Sequence, residues 1–448
     1  MTQHTLRTAL LDARVPRYTS YPPANRFSPA VGAETSAAWA ADLPAGADLS
    51  LYVHVPFCRR LCWFCACRTQ GTTSDAPLDS YLSHLEREVA LVAPLLPAGH
   101  RTSALHLGGG TPTLLSADRL DRLGEILAPV IHRDAATEVA VEIDPCELDA
   151  PRLDALLRLG LTRASIGVQD FDPAVQAAIG REQSPQVTAH AVDGLRARGV
   201  AGVNFDLLYG LPHQTEARLV ATLTEALRHR PDRVALFGYA HVPWMSRRQK
   251  LIAEEALPDA AARLHLNATA RALLEAEGYV SIGIDHFALP HDSLVAASAA
   301  GRLHRNFQGY TTDDAAALIG LGPSSISRYP QGYAQNAPAT GAWAERVMAG
   351  SLATVRGYAL SPEDALTAEV IERLMCDAAA DLPALAARHG APAAPLLALA
   401  EAGMTRLPGA ARLSDGVLSV ADAALSRIVA AWFDEGLTGD TGRFSMAS

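Results

Sequence analysis

The sequence predicts an α/β fold, a partial (β/α)6 TIM-like barrel with extra strands, joined to a small, mainly α-helical C-terminal domain. Three observations carry that expectation. Short β-type runs alternate with helical patterns from about residue 50 to 290, as βα units around a parallel sheet do. Polar residues interrupt several strands near their C-terminal ends, where sites collect in such barrels. From about residue 338 the alternation gives way to alanine-rich amphipathic helix. The 448 residues leave room for two or three domains. We divide them into an N-terminal arm, 1–48, a barrel domain, 49–340, and a small winged-helix-like domain, 355–448.

Taken in order, the strands are expected at 51–55, 104–108, 138–143, 163–168, 203–208 and 233–239. Between them lie helical patterns at about 79–96, 116–131, 151–159, 186–198, 215–229 and 259–277. Six such units make an open version of the eight-unit barrel, with right-handed crossovers. Runs at 279–284 and 318–321 extend the sheet. Around residues 338–360 the pattern changes to alanine-rich amphipathic helix, with a proline-marked start at Ser361-Pro362. Val417–Val420 followed by Asp422–Phe433 reads as a short wing and a helix, without the basic stripe that nucleic-acid binding needs.

Composition narrows the function. Hydrophobic residues make up 49% of the chain and charged residues 19%, and no stretch reaches the ~18 uninterrupted apolar residues of a membrane span. Met1–Pro23 lacks the apolar segment and cleavage site of a signal peptide, so a reducing, cytoplasmic setting is expected. A net charge of −10 argues against a general nucleic-acid or membrane surface. An anionic substrate would then need a local arginine pocket, for which Arg17, Arg305 and Arg328 are candidates by position.

Cys58, Cys62 and Cys65 are spaced C-x3-C-x2-C directly after the apolar run Leu51–Phe57. Three thiolates can hold a [4Fe–4S] cube by three of its irons and leave the fourth open. Cys67 completes a set that would also suit a four-cysteine zinc site. A disulfide framework is a poor fit, because four of the six cysteines crowd into ten residues, while Cys146 and Cys376 stand alone. In the following strands Glu142, then Ser165, Gly167 and Gln169, then Asn204 and Asp206, all oppose an apolar face by the two-residue period. Three successive strands with this arrangement favour a polar, ligand-filled mouth over isolated structural hydrogen bonds. Gly108–Thr113 adds glycines that let backbone approach a ligand closely.

The cysteine spacing at the end of a first strand resembles the radical S-adenosylmethionine enzymes. The ordered set of motifs resembles one family among them, the oxygen-independent coproporphyrinogen III oxidases of haem biosynthesis. It comprises Arg17–Pro22, Tyr52–Cys58, Gly108–Thr113, Glu142–Pro145, Gly167–Asp170, Asp206–Pro212, Tyr239–His241, Asp285–Phe287, His304–Thr312 and Tyr333–Asn336. The resemblance implies a [4Fe–4S] cluster on Cys58, Cys62 and Cys65, with Cys67 matching a fourth cysteine that does not bind it. It also implies two S-adenosylmethionine molecules. Tyr52, Gly109, Glu142 and Ile326 would line the first; Phe64, Gly110, Thr111, Gln169, Arg181, Asp206 and Ala240 would line the second. Phe307 and Gln308 fall in a matched motif nearby, and no catalytic side chain is singled out.

The implied reaction is oxidative decarboxylation of two propionates of coproporphyrinogen III to vinyl groups by a 5′-deoxyadenosyl radical, giving protoporphyrinogen IX. It needs an electron donor and an acceptor that the sequence does not identify, and a monomer is expected. One departure is visible: Ala66 stands where the family usually has glycine. Two alternatives remain at this point, a haem chaperone on the same fold and a zinc-stabilised, non-enzymatic interaction protein. Arg17–Pro22 is expected either to fold over the barrel mouth or only to anchor the arm to the barrel through Tyr18 and Tyr21.

Overall fold

The computed structural model describes residues 13–438; the first part of the arm, 1–12, and the last ten residues of the small domain lie outside them. Helix α1 (Ala33–Ala41) leads to β1 (Asp48–Val55), and the barrel then runs through α2 (Ala76–Val92), β2 (Arg101–Gly109), α3 (Ala117–Leu127), β3 (Glu138–Ile143), α4 (Ala150–Leu159) and β4 (Arg163–Gln169). Two helices, α5 (Pro173–Ile179) and α6 (Pro185–Arg196), precede β5 (Gly202–Tyr209), α7 (Glu216–Leu227) and β6 (Arg233–Gly238). Strands β1 to β6 pair in parallel and in sequence order. All six strands and all six helices expected between residues 50 and 277 are present, with ends shifted by a few residues; α5 is additional.

The chain continues through α8 (Ala260–Ala276), β7 (Val280–Ile282), β8 (His286–Ala288), α9 (Ser293–Ala299) and the hairpin β9 (His304–Asn306) and β10 (Gly309–Thr311). Next come β11 (Ala317–Leu321), β12 (Ile326–Tyr329), β13 (Gly332–Asn336), α10 (Thr340–Met348) and β14 (Thr354–Ala359). The main sheet has twelve strands in the order β14-β13-β12-β11-β1-β2-β3-β4-β5-β6-β8-β7. It is open, because β6 and β11 border antiparallel partners rather than each other. Where the pattern changes, around residues 338–360, a helix and a strand precede the helix that starts at Pro362. Thr354–Ala359 pairs with Gly332–Asn336, and its Val355 and Tyr358 suit a strand.

Local signals set the helix ends. Asp149, Ser184, Thr215 and Asp259 each cap a helix by accepting a backbone N–H with the side chain. In β3 and β4 buried and half-buried residues alternate. One face packs Val139, Val141, Ile143, Ala164, Ile166 and Val168 into the core, while the other looks into the barrel, which explains the polar interruptions. The fully buried Glu88 of α2 is matched by donors from across the sheet: Gly322 N at 2.6 Å and Asn336 Nδ2 at 2.7 Å. Burial nevertheless pushes its carboxyl up to about 7.

After the sheet, α11 (Pro362–Asp377), β15 (Ala379–Asp381), α12 (Leu382–Arg388), α13 (Ala394–Arg406), β16 (Ala411–Ser414), β17 (Val417–Val420) and α14 (Ser426–Ala430) surround a separate apolar core. The β16–β17 hairpin supplies the wing. Tyr18 and Tyr21 belong to this second core, so they anchor the arm to the small domain instead of to the barrel. Arg427 donates to the carbonyls of Val15 and Pro16. The buried Asp434 accepts from Tyr18 Oη at 3.1 Å and from Arg26 Nη2 at 2.5 Å. Arg17 reaches back to the barrel, donating to Gly238 O at 3.0 Å, and further along the arm Phe27 stacks on Tyr333 and Ser28 pairs with Gly357.

Asp434→Asn removes the charge that both partners face. We expect a loss of about 2–3 kcal/mol, the scale of hydrogen bonds to charged groups, read by urea unfolding, with faster proteolysis within residues 13–26. Unchanged unfolding and digestion would show that the apolar contacts of Tyr18 and Tyr21 suffice.

Candidate active site

At the end of β1 the chain enters the cysteine loop, and contacts from four directions hold that loop. Gly110 N donates to Val55 O and Thr111 N to Phe57 O, each at 2.8 Å. A Cβ on Gly110 would lie 2.5 Å from Phe57 O and 2.8 Å from Val55 O, so this approach requires glycine. Trp63 N donates to Ile179 O, at the end of α5, and the Trp63 ring packs on Gly180, whose φ is +64°. From the far side Ser246 Oγ donates to Cys65 O at 2.9 Å and Arg248 Nη2 to Cys67 O at 3.0 Å. Gln249 Nε2 donates to both Phe64 O at 2.7 Å and Ala240 O at 3.0 Å.

The electrostatics of the loop favour a thiolate at Cys65 and the neutral thiol at Cys58 and Cys67. A hydrogen bond from Cys67, and the Arg248 and Arg181 cations, bring the Cys65 thiol down to about 6 although burial opposes them. Cys67, as the partner in that hydrogen bond, is pushed well above its usual value. Burial pushes Cys58 up to about 11, partly offset by hydrogen bonds with Thr111 and Thr69. Arg181 Nη1 lies 3.5 Å from Cys62 Sγ and 3.3 Å from Asp144 Oδ2, and its Nη2 donates to Gly167 O at 2.7 Å.

The barrel-facing residues of β1 to β5 form a connected polar wall. Glu142 Oε2 accepts from Gly109 N at 3.0 Å, and Oε1 lies 3.2 Å from His106 Nε2. Burial would raise the Glu142 carboxyl, but His106 and the Gly109 N–H hold it below its usual value. Tyr52 stacks on His106 with ring centroids 5.8 Å apart. Because His54 Nε2 meets the Arg68 carbonyl at 3.0 Å, that nitrogen carries the proton, and Nδ1 accepts from Tyr52 Oη at 3.0 Å. On the next strands Ser165 Oγ and Asn204 Nδ2 each donate to Asp206 at 2.9 Å. Burial, with Glu142 nearby, still pushes Asp206 up to about 6.

Gln169 has φ of +68° at a register shift between β4 and β5, a conformation that costs a non-glycine residue about 1–3 kcal/mol. Its neighbour Asp170 is structural: fully buried, it accepts from Thr222 Oγ1 and Gln214 Nε2. Ile326 lies against Gly320, and Gly320 is the register partner of Tyr52. Phe307 and Gln308 form the turn of the β9–β10 hairpin, with Phe307 edge-on to Tyr333 at 6.2 Å.

Known proteins share this architecture and much of the sequence. Residues 52–226 match the Radical SAM superfamily. The oxygen-independent coproporphyrinogen III oxidase of Paracoccus denitrificans is 57% identical over 371 residues, covering 83% of this chain and 82% of that protein. The Escherichia coli protein of the same name is 40% identical over 362 residues, 81% of this chain and 79% of that one. The solved structure of coproporphyrinogen III oxidase (HemN) from Escherichia coli, titled a radical SAM enzyme, superposes with a TM-score of 0.90 at 36% identity, covering 95% of this chain and all of that chain. The chain belongs to the oxygen-independent coproporphyrinogen III oxidase family.

A coproporphyrinogen III oxidase of this kind uses a [4Fe–4S] cluster and S-adenosylmethionine, and the donor set fits them. Three thiols sit on one pinned loop, with cationic and N–H donors turned toward their sulfurs. Membership of that family sets the zinc alternative aside. Of the residues singled out from sequence, the cysteines, Phe64, the glycine strip, Thr111, Glu142, Gln169, Arg181, Asp206, Ala240 and Ile326 lie on the loop, at strand ends or on strands bordering them. Arg328 does not join them; it is exposed and donates to Ala315 O. Sequence reading missed His54, His106, Ser246, Arg248 and Gln249. The two histidines alternate with apolar residues in β1 and β2 and were open to the same two-residue argument, whereas residues 246–249 carry no local signal.

Gly110→Ala places a methyl against backbone that cannot yield. We expect iron bound after anaerobic reconstitution to fall at least several-fold with unchanged far-ultraviolet circular dichroism. Normal iron content in that variant would refute the loop-strip account.

Proposed function

We propose that this chain catalyses oxygen-independent conversion of two propionate side chains of coproporphyrinogen III to vinyl groups, yielding protoporphyrinogen IX and two CO2. The observation that carries this reading is the cysteine loop, seated on the glycine strip beside a wall of carboxylates, in a chain that superposes on a coproporphyrinogen III oxidase over nearly its whole length. Bound together, the cluster and S-adenosylmethionine supply reductive C–S cleavage and hydrogen-atom abstraction from carbon.

The residues of the chain bind, orient and exclude. Cys58, Cys62 and Cys65 hold the cluster, and Cys67 supports Cys65 through its hydrogen bond. Tyr52, Gly109, Glu142 and Ile326 border a first S-adenosylmethionine. Phe64, Gly110, Thr111, Gln169, Arg181, Asp206 and Ala240 border a second. Carboxylates suit the ammonium and sulfonium of this cofactor, and free backbone N–H groups suit its carboxylate. Phe64 and Trp63, packed with Tyr239 and Ile252, keep water from that side, which matters because a primary carbon radical reacts with most neighbours. We place the enzyme in the cytoplasm as a monomer, taking electrons from one partner and passing them to another. Its six cysteines, all unpaired, suit a reducing compartment, and no helix among the described residues is long and apolar enough to cross a membrane.

Anaerobic reconstitution followed by assay with coproporphyrinogen III tests the reading: 5′-deoxyadenosine and CO2 should both appear. Replacing Cys58, Cys62 or Cys65 by serine should abolish both, whereas Cys67→Ser should keep the cluster absorbance; loss of the cluster in Cys67→Ser would overturn the ligand assignment.

The Asp206 carboxyl lies above its ordinary value, so charging it costs the ligand-free protein stability between about pH 4 and 6. A bound cation favours the charged form. S-adenosylmethionine affinity should therefore rise as pH passes through about 6 and level off above it. Equilibrium dialysis of Asp206→Asn should show a flat profile, and an unaltered rise would remove Asp206 from the cofactor wall.

A further inference from the structure

Five large apolar side chains stand exposed among the described residues, and three of them crowd into eight positions: Trp244 at 43%, Met245 at 71% and Leu251 at 60%. They belong to the segment that follows β6, where residues 242–246 form a turn and Arg247–Leu251 a short 3-10 helix. This segment has two sides. Ser246, Arg248 and Gln249 grip the cysteine loop by the carbonyls of Cys65, Cys67 and Phe64. Trp244, Met245, Arg247, Lys250 and Leu251, beside and between them, are turned to solvent. The outward face is therefore one residue removed from the backbone of Cys65, a cluster ligand.

The patch is basic in a chain whose net charge is −10. Arg247 and Lys250 are exposed, and Lys250 is the one lysine of the whole sequence. Arg248 donates to neutral acceptors, Cys67 O and Thr69 Oγ1, which leaves its charge in place. Arg68, exposed between those two partners in the chain, adds a fourth cation. Two acids follow, Glu254 and Glu255, of which Glu254 faces His241 at 3.1 Å. A contiguous exposed apolar group rimmed by charge marks a surface that meets another protein, and Trp, Met and Arg are the residues enriched at such contacts.

We propose that this patch docks a small acidic protein that delivers one electron to the cluster. The proposal rests on the reading of the chain as a radical enzyme that takes its electron from a partner. Electron transfer weakens steeply with distance, so the donor has to sit where the surface comes nearest the ligands, and residues 244–251 are bonded to the ligand loop itself. In the step, the donor's reduced centre gives up one electron and the cluster gains it; no bond is made or broken and no proton moves. Carboxylates of the donor meet Arg68, Arg247, Arg248 and Lys250, which steer the encounter. Trp244, Met245 and Leu251 supply the apolar centre of a small, short-lived interface, the size class of transient electron-transfer complexes. Charge argues against a second copy of this chain as occupant, since a two-fold contact would set the positive patch against itself.

The test uses the anaerobically reconstituted full chain with an acidic plant-type [2Fe–2S] ferredoxin as donor. Rapid-freeze electron paramagnetic resonance reads how fast the reduced cluster appears, and dithionite, a small ion that needs no docking surface, serves as the parallel reductant. At equal iron content, Arg247→Glu combined with Lys250→Glu should slow reduction by ferredoxin at least tenfold and leave reduction by dithionite within threefold. Met245→Ser, which alters no charge, should slow the ferredoxin reaction alone, by several-fold. A carbodiimide, which joins a carboxylate to an amine, should link the two proteins at Lys250, and Lys250→Gln should remove that link. An unchanged ferredoxin rate in the double variant would overturn the proposal. Equal slowing with both reductants would overturn it as well, because the residues would then support the cluster rather than a partner. A dimer of the unmodified chain in sedimentation, broken by Met245→Ser, would assign the patch to a second copy instead. The readout needs no tetrapyrrole, so its result is independent of the assay of CO2 release that tests the proposed reaction.

Discussion

The contact on which the site depends is backbone against backbone. Gly110 and Thr111 donate their N–H groups to the carbonyls of Val55 and Phe57, at a separation that leaves no room for a side chain on residue 110. This fixes where β1 hands the chain to the cysteine loop, and so fixes the direction in which three sulfurs can face. It also sets Gly109 against Glu142, so one short strip positions both the thiols and the first carboxylate of the wall. The second face of the loop depends on Gln249, whose one amide joins Phe64 to Ala240. A metal loop with few hydrogen bonds of its own thus takes its rigidity from its surroundings.

Charge inside the barrel is arranged by sign. Toward the middle, Glu142 and Asp206 present carboxylates, each held by donors from adjacent strands. Toward the edge at β6 the sign reverses, with four arginines around Asp285.

Much of this was legible in the sequence, because it is written in short range. The βα alternation, the cysteine spacing and the polar residues opposite Val139–Ile143 and Ala164–Val168 each depend on neighbours within a strand or loop, and they survive folding unchanged. The strand at Thr354–Ala359 was hidden because Val355 and Tyr358 alone are a weak local signal, and its pairing with Gly332–Asn336 is set outside the segment. Helix α5 escaped because it is short and enclosed by Pro173 and Gly180. Ser246, Arg248 and Gln249 act about 180 residues from the cysteines, and nothing in their own stretch announces it. For Tyr18 and Tyr21 the sequence left two readings, a cover over the barrel mouth or an anchor to the barrel, while their apolar partners belong to the small domain.

The two ends of the described chain are fastened together, Val15 and Pro16 to Arg427, and Tyr18 and Arg26 to Asp434. During synthesis the metal loop emerges early, and every strand of the barrel can pair before residue 427 leaves the ribosome. The arm has no docking core until then and must wait, tethered at one end. Assembly of this enzyme therefore has a built-in order: the redox centre's scaffold is finished first, and the last helix to be made locks the first segment in place. A message truncated near its end would yield a chain with its metal loop complete and residues 15–26 without the partners that hold them.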